Sequence, residues 1–253
     1  INLGRWWRDL TPLAAMPDKR GQSLNFVAML RAILERTAIA KIRISSVEPM
    51  DWSNDLIELL ASSPRIAKHA HVPLQSGSDR ILRKMHRKYR PWHYADRLER
   101  IRAAAPDAAI GADVMVGFPG ERDEDFDQTR AFVERLPFTY LHVFTYSSRP
   151  GTPSADMPEQ VPVAVAHERN RILRELAAEK KRTFLRKFLG RRLEAITLTQ
   201  QRGGFTETLT DNYQKLWLRG SHPANQTISA LATEVTDDAL EGALLGVREV
   251  QDH

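Results

Sequence analysis

The residues best suited to binding chemistry lie in short polar segments rich in glycine or proline. Gly117-Phe118-Pro119-Gly120-Glu121 directly follows the apolar run Ala112 to Val116. A glycine turn lets main-chain groups approach a ligand closely, and Met115 and Val116 ahead of it offer an apolar surface for a flat ring. The same five residues also read as an ordinary β-to-α turn whose geometry Pro119-Gly120 sets. In Gln75-Ser76-Gly77-Ser78-Asp79, Ser76 or Ser78 can cap a helix start. Gln75 has no capping role, and its carboxamide can hydrogen-bond a ribose or an amino acid moiety. Asp113 falls within a strand pattern, where a charge must be paired or face a ligand. Glu48, before Pro49, poses the same problem in milder form. Arg149, between Ser148 and Pro150, can clamp a carboxylate or a phosphate, or stand as a surface arginine.

Other chemistry is excluded. The chain has no cysteine, so these residues supply no disulfide, thiol nucleophile or cysteine-ligated metal. His69 and His71 sit two apart in a strand pattern, which puts both rings on one face. A metal pair there is chemically possible, packing is the simpler reading, and no metal site is expected.

These residues need elements to position them. From Ser23 to Tyr146, amphipathic helix patterns alternate with short apolar strand patterns, which predicts a parallel α/β architecture. The expected helices cover Leu24–Glu35, Ser53–Ser62, Ser78–His86, Trp92–Ala105 and Asp123–Leu136. The expected strands cover Lys41–Ser46, Ala67–Leu74, Ile110–Val116 and Tyr140–Tyr146. Each strand ends in one of the polar segments, and ligands of parallel sheets bind where such segments converge, so all of them should rim one site. After Pro162 a basic amphipathic helix should run to about Leu189, with Gly190 stopping it. Short runs beyond Arg191, separated by Gly203-Gly204, Asp211-Asn212 and Gly220-Ser221, predict a small antiparallel β module.

At 253 residues and 42% apolar content, the chain can form one large domain and one small one. It has neither a membrane-span pattern nor a signal-peptide pattern, so a cytoplasmic monomer is expected. Its formal charge of +5 is concentrated in two blocks, Arg80 to Arg102 and Arg169 to Arg192. Clustered positive charge attracts polyphosphate backbones, although a solvated helix face is the usual alternative. The apolar start at Ile1 has no turn residue ahead of it, which suggests a chain cut inside an element.

Three phrases carry a resemblance: Pro73-Leu74-Gln75-Ser76-Gly77-Ser78-Asp79, Asp113-Val114-Met115-Val116-Gly117-Phe118-Pro119-Gly120-Glu121 and Ser148-Arg149-Pro150-Gly151-Thr152-Pro153. In order and separation they resemble successive strand-end motifs of the radical S-adenosylmethionine (SAM) methylthiotransferases. Asn2-Leu3-Gly4 resembles that family's second barrel strand. The terminal module, with Thr210-Asp211-Asn212-Tyr213 leading into Lys215 to Arg219, resembles its TRAM domain, which engages tRNA. Within the family, Ser45-Ser46-Val47-Glu48-Pro49 and His86-Arg87-Lys88-Tyr89 look most like the branch acting on threonylcarbamoyladenosine beside the anticodon. The isopentenyladenosine branch comes next. The branch acting on a ribosomal protein fits least, because the basic surfaces suit RNA.

The resemblance implies a partial radical SAM (β/α) barrel over residues 1–190, ending in the basic helix, and a TRAM-like RNA-binding domain over 191–253. It implies SAM and two 4Fe-4S clusters as cofactors, tRNA as partner, and an electron donor. Carried over, Gln75 and Ser76 would hold the ribose or methionine part of SAM. Asp113, Met115, Val116, Gly117 and Phe118 would frame its nucleoside, with Glu48 and Arg149 as further site members. Lys180, Lys181, Arg182, Arg186, Lys187, Tyr213 and Trp217 would contact RNA. Both cluster-cysteine sets, the N-terminal domain and the first strand have no counterpart here, so this chain alone is expected to be inactive, with no catalytic residue assigned. A catalytic part of a tRNA-modifying enzyme predicts that the upstream coding region supplies the cysteines. A stand-alone RNA-binding protein predicts a start codon just before Ile1.

Overall fold

A computed structural model of the chain describes residues 25–247. The strand expected at Asn2-Leu3-Gly4 lies outside the described residues. The chain divides into two units, Ile1–Pro137 with Leu141–Arg174, and Phe138–Tyr140 with Glu175–His253.

In the first unit, caps fix where the helices start. Asn25 accepts the Ala28 N–H at the head of α1 (Phe26–Arg36), and Ser53 accepts that of Leu56 at α2 (Asn54–Ser62). β1 (His69–His71) leads to α3 (Asp79–Lys84), capped by Ser78, and then to α4 (Pro91–Ala104), with proline in its first turn. β2 (Ala109–Val116), α5 (Asp123–Arg135) and β3 (Tyr140–Thr145) follow, and then the 24-residue α6 (Val163–Arg186), of which the residues to Arg174 belong to this unit and those from Glu175 to the second. The sheet order is β1-β2-β3, and β1 pairs parallel to β2 with His71 opposite Gly111.

Two strand expectations change. Lys41–Ser46 forms no continuous strand: it meets the sheet at two isolated parallel bridges, Ile42 with Ile66 and Ser46 with His71. Ile42 bonds Arg65 and Ala67 through the backbone, Val47 just beyond the segment bonds His71, and in between the Ile44 backbone bonds the His69 side chain. β1 is shorter than Ala67–Leu74 because its ladder becomes irregular. The N–H groups of Leu74 and Gln75 both donate to the Asp113 carbonyl, at 3.1 and 2.8 Å, and Gln75 turns into the left-handed region at φ 66°.

Alternation along β2 separates two faces. Ile110, Ala112, Val114 and Val116 are fully buried and join a core containing Leu56, Leu60, Leu98, Ile101 and Val133. Ala109, Gly111, Asp113 and Met115 lie on the other face, which His69 and His71 share through their register with Ala109 and Gly111. Tyr94 and Tyr89 tie the helical layer to β1 and its exit by donating to the carbonyls of Val72 (2.6 Å) and Leu74 (2.9 Å).

The second unit contains a closed barrel ordered β4-β5-β6-β8-β7. Its strands are β4 (Arg192–Arg202), β5 (Phe205–Thr210), β6 (Lys215–Arg219), β7 (Thr227–Val235) and β8 (Leu240–Val247). The expected wholly antiparallel module is corrected at one junction, because β6 and β8 pair in parallel. A ring of five strands cannot alternate direction all the way round, so closure requires one such pair. Leu216, Leu218, Ile228, Ala230 and Leu240 fill the interior, and buried Thr197, Thr206 and Thr208 satisfy their hydroxyls on main-chain carbonyls. Among the described residues, no helix is long and apolar enough to cross a membrane.

Candidate cofactor and nucleic-acid sites

The exits of β1 and β2 bring the first group of expected residues together. Gln75 donates its N–H to Asp113 O, and its carbonyl accepts Met115 N–H at 2.8 Å, so Gln75, Asp113 and Met115 are neighbours through the backbone. The half-buried Gln75 carboxamide has no hydrogen-bond partner among the described residues, which leaves its donors and acceptor for a ligand. Ser76 is fully buried and serves the turn itself. Its Oγ lies 3.2 Å from Thr129 Oγ1 and accepts the Ser78 N–H at 3.1 Å.

Two residues beyond Met115, Gly117 takes φ 75° and donates its N–H to Glu121 Oε2 at 2.7 Å. A Cβ at Gly117 would come within 2.5 Å of Ala166 Cβ, so both backbone angle and space demand glycine. Phe118 is buried edge-on against Tyr146, with ring centroids 5.5 Å apart, and Val116 is wholly buried.

Asp113 resolves its burial problem by pairing. Its Oδ1 lies 3.2 Å from His71 Nε2, and the His71 ring is 5.7 Å from that of His142 on β3. Burial lowers the His69 pKa to about 3, with repulsion from Arg43 and His71 adding to it and a bond with the Ile44 backbone opposing it. Burial also lowers the His142 pKa, aided by His71 and opposed by Asp113. His69 and His142 are therefore neutral at neutral pH, each with one ring donor and one ring acceptor. The sequence reading did not assign His71 and His142 to the site. The His69/His71 spacing was the available signal for the first, and no local pattern marked the second. Among the described residues, no group of three or more His, Asp or Glu side chains could hold a metal ion.

The remaining site expectations are placed differently. Glu48 Oε1 lies 3.2 Å from Arg87 Nη1, and both charges act with Asp113 on the buried Tyr89 phenol, whose pKa is raised chiefly by burial. Arg149 is exposed with no ion-pair partner among the described residues, and nothing draws it to Gln75 or Asp113.

The two basic blocks prove unequal. In the first, Arg80 pairs with Asp125, Arg83 and Arg90 share Asp79, Lys84 takes Glu159 and Arg100 takes Asp96. Arg102 caps the carbonyls of Pro106, Ala108 and Pro137. Most of that block is engaged in pairs within the chain, several of them at the surface. In the second, Arg186 and Lys187 are exposed, while Lys180, Lys181 and Arg182 are half-buried. Arg182 and Arg186, four apart, share a face of α6, and Lys180 points roughly 160° away from Arg182. Burial lowers the Lys181 pKa, with Lys215 adding to the shift and Asp238 opposing it.

In the barrel, the Thr210 hydroxyl staples a tight turn by bonding Asn212 Oδ1 and accepting Gln214 N–H, and Tyr213 stands outward at φ 63°. Trp217 is half-buried between its register partners Glu207 and Glu241. Residues 191–247 hold five Lys and Arg against seven Asp and Glu, so α6 rather than the barrel concentrates positive charge. An open cleft of about 450 Å³, lined by Leu198, Gln201, Ser221 and His222 among others, also opens on the barrel.

Residues 21–133 match the family model of the radical SAM superfamily. The chain is similar to radical SAM methylthiotransferases. A tRNA-2-methylthio-N(6)-dimethylallyladenosine synthase of Thermobifida fusca (strain YX) is 43% identical over 176 residues, 70% of this chain and 36% of that protein. Proteins of the same name from Mycobacterium sp. (strain MCS) and Mycobacterium ulcerans (strain Agy99) are 43% and 41% identical, over 73% and 78% of this chain and 35% and 36% of theirs. The chain thus spans about a third of the length of the curated relatives it matches. These matches carry the methylthiotransferase relationship, not the expected closeness to the threonylcarbamoyladenosine branch. Among solved structures, coproporphyrinogen III oxidase from Escherichia coli, a radical SAM enzyme, aligns with a TM-score of 0.52 at 14% identity. That alignment covers 86% of this chain and 55% of that one, and it shows a shared fold.

The two implied cofactors fit these residues differently. The Gln75 carboxamide, without a partner among the described residues, is the polar group that could meet the ribose or amino acid part of SAM, whereas the close approach at Gly117 is filled by Ala166 and its N–H by Glu121. An iron-sulfur cluster finds no ligand set, because the 253 residues include no cysteine.

Proposed function

We propose that this chain is part of a tRNA methylthiotransferase that binds SAM at the exits of β1 and β2 and adds a methylthio group to N6-dimethylallyladenosine. The observation that carries the reading is the unpartnered Gln75 carboxamide, held beside Asp113 and Met115 and close to the Gly117 turn. In the whole protein one SAM would supply a radical on one-electron reduction through an iron-sulfur cluster, and a second SAM would supply the methyl group. The chain's own part is to orient the nucleoside: Gln75 and Asp113 offer polar contacts, and Met115 and Phe118 give an apolar edge. The neutral imidazoles of His71's neighbours His69 and His142 suit an uncharged heteroaromatic base better than a phosphate. Phosphate contacts fall to the exposed end of α6, and Tyr213 suits stacking of a base from tRNA. In this reading the barrel is a TRAM-like domain and the protein a cytoplasmic monomer served by an electron donor.

The names of the relatives favour the dimethylallyl substrate. A second reading, threonylcarbamoyladenosine, draws on the exposed and unpaired Arg149, since that substrate carries a carboxylate that an arginine could clamp. Mass spectrometry of tRNA nucleosides from the source cells, with and without the gene, separates the two. Loss of the methylthio group from dimethylallyladenosine is the expected result. Loss from threonylcarbamoyladenosine establishes the second reading, and loss from neither refutes both.

A further inference from the structure

α6 meets the Gly117–Glu121 turn through two residues one helical turn apart, Ala166 and Arg169. Ala166 lies where a Gly117 side chain would be. Arg169, only 5% exposed, donates Nη1 to Glu121 Oε2 at 2.8 Å and to the Glu121 carbonyl at 3.2 Å, and donates Nη2 to Asp123 Oδ1 at 2.7 Å. Its guanidinium also sits 5.5 Å from the centre of the Phe126 ring. The Glu121 side chain is wholly buried, and Oε1 has no hydrogen-bond partner among the described residues. Burying a carboxylate with one oxygen unmet is unfavourable, and well-packed apolar residues would often serve stability as well or better.

What the pair supplies is geometry. Glu121 Oε2 receives both the Arg169 guanidinium and the Gly117 N–H. The carbonyl on the other side of that peptide, Val116 O, accepts the Tyr146 N–H at 2.8 Å. The Val116–Gly117 peptide is thus held at both ends. The far end of the turn is held separately, by Glu159 O on the Gly120 N–H and by Arg80 on the Gly120 carbonyl. At its Gly117 end the peptide is held by Glu121, which Arg169 in turn holds in place.

We propose that Arg169 is a positioning residue for the adenosyl ligand, acting through Glu121 to fix the Val116–Gly117 peptide and the apolar edge of Met115 and Phe118. This rests on the SAM reading above. Arg169 touches no ligand itself, and lysine cannot replace it, because one ammonium cannot span Glu121 and Asp123 as a planar guanidinium does.

The test uses the full 253-residue chain as wild type, Arg169→Met, Arg169→Lys and Glu121→Gln, with Arg171→Met as the control on the exposed side of α6. Hydrogen-deuterium exchange of the Gly117 amide is read first, and binding of SAM by equilibrium dialysis second. Arg169→Met should speed Gly117 exchange by at least about tenfold while Ala112 and Val114 keep their protection, and should weaken SAM binding by a similar factor. Arg169→Lys should recover little of either, and Arg171→Met should change neither. Glu121→Gln, nearly isosteric, gives the same reading if Arg169→Met does not fold. Unchanged Gly117 exchange overturns the positioning role, as does faster exchange with unchanged SAM affinity. A wild type that binds no SAM, with Gly117 exchange still sensitive to Arg169, overturns the SAM reading and leaves the fixing of the turn standing.

Discussion

Asp113 Oδ1 on β2 lies 3.2 Å from His71 Nε2 on β1, and this contact accounts for the charge placed within an otherwise apolar strand. The Asp113 side chain keeps 26% of its exposure, so the pair is partly screened by solvent. Asp113→Asn should therefore cost only about 1 kcal/mol of stability. Urea unfolding of the two proteins measures it, and a loss several times larger would mean that the pair is a structural keystone rather than a ligand-facing group.

Acid should destabilise the first unit through His69. The unfolded chain takes up this proton near pH 6.5, the folded chain only near pH 3. The folded pKa is the lower, so the unfolded state binds more protons between the two values. Stability present above pH 6.5 is then lost as pH falls toward 3. His69→Gln should flatten that dependence. Unfolding midpoints measured at neutral pH and at about pH 4.5 check it, and parallel curves for both proteins would contradict it.

Gly77 meets α5 at backbone distance. A Cβ there would lie 2.7 Å from Thr129 Cα and 2.9 Å from Phe132 Cβ, atoms that a helix cannot easily move. Gly77→Ala should destabilise by about 1 to 3 kcal/mol and disturb the turn that carries Gln75. Thermal unfolding gives the first effect, and amide chemical shifts around Gln75 give the second.

RNA affinity should follow the exposed end of α6. Replacing Arg182, Arg186 and Lys187 with alanine should lower tRNA affinity and reduce the salt slope by roughly 2 to 3, at about 0.9 per lost phosphate contact. Lys181→Ala should change the slope less, because its amine is half-buried. Tyr213→Ala should weaken binding by about 1 to 3 kcal/mol with little change in slope, as expected for stacking. Fluorescence anisotropy at several salt concentrations measures all of these. Equal slopes for wild type and the triple variant would remove the RNA role from α6.

Anaerobic reconstitution of this chain with iron and sulfide should give no stable cluster absorbance, since no thiolate is present to hold one. A stoichiometric cluster would require ligands other than cysteine.

Much of this architecture was legible along the chain because it is written in local periods. The 3.6- and 2-residue repeats place α2, α4, α5 and β2 within a residue or two of their observed ends. The glycine turn at Gly117 and the absence of cysteine are likewise properties of the sequence itself. The order of the strand-end phrases already pointed to the methylthiotransferases.

Tertiary structure decided what depends on residues meeting from distant parts of the chain. Arg80 and Arg186 look equally basic in sequence, yet the fold gives Asp125 to the first and leaves the second exposed. Arg169 reads as one more charge on a basic helix until it meets Glu121, 48 residues earlier. His142 acquires a role only where β3 lies in the sheet beside β2, within reach of the ring of His71 on β1. The barrel's parallel pair follows from closing a ring of five strands, a constraint that no single strand carries. Local spacing determines which face a side chain takes, while pairing energy depends on distances that exist only after the chain has folded.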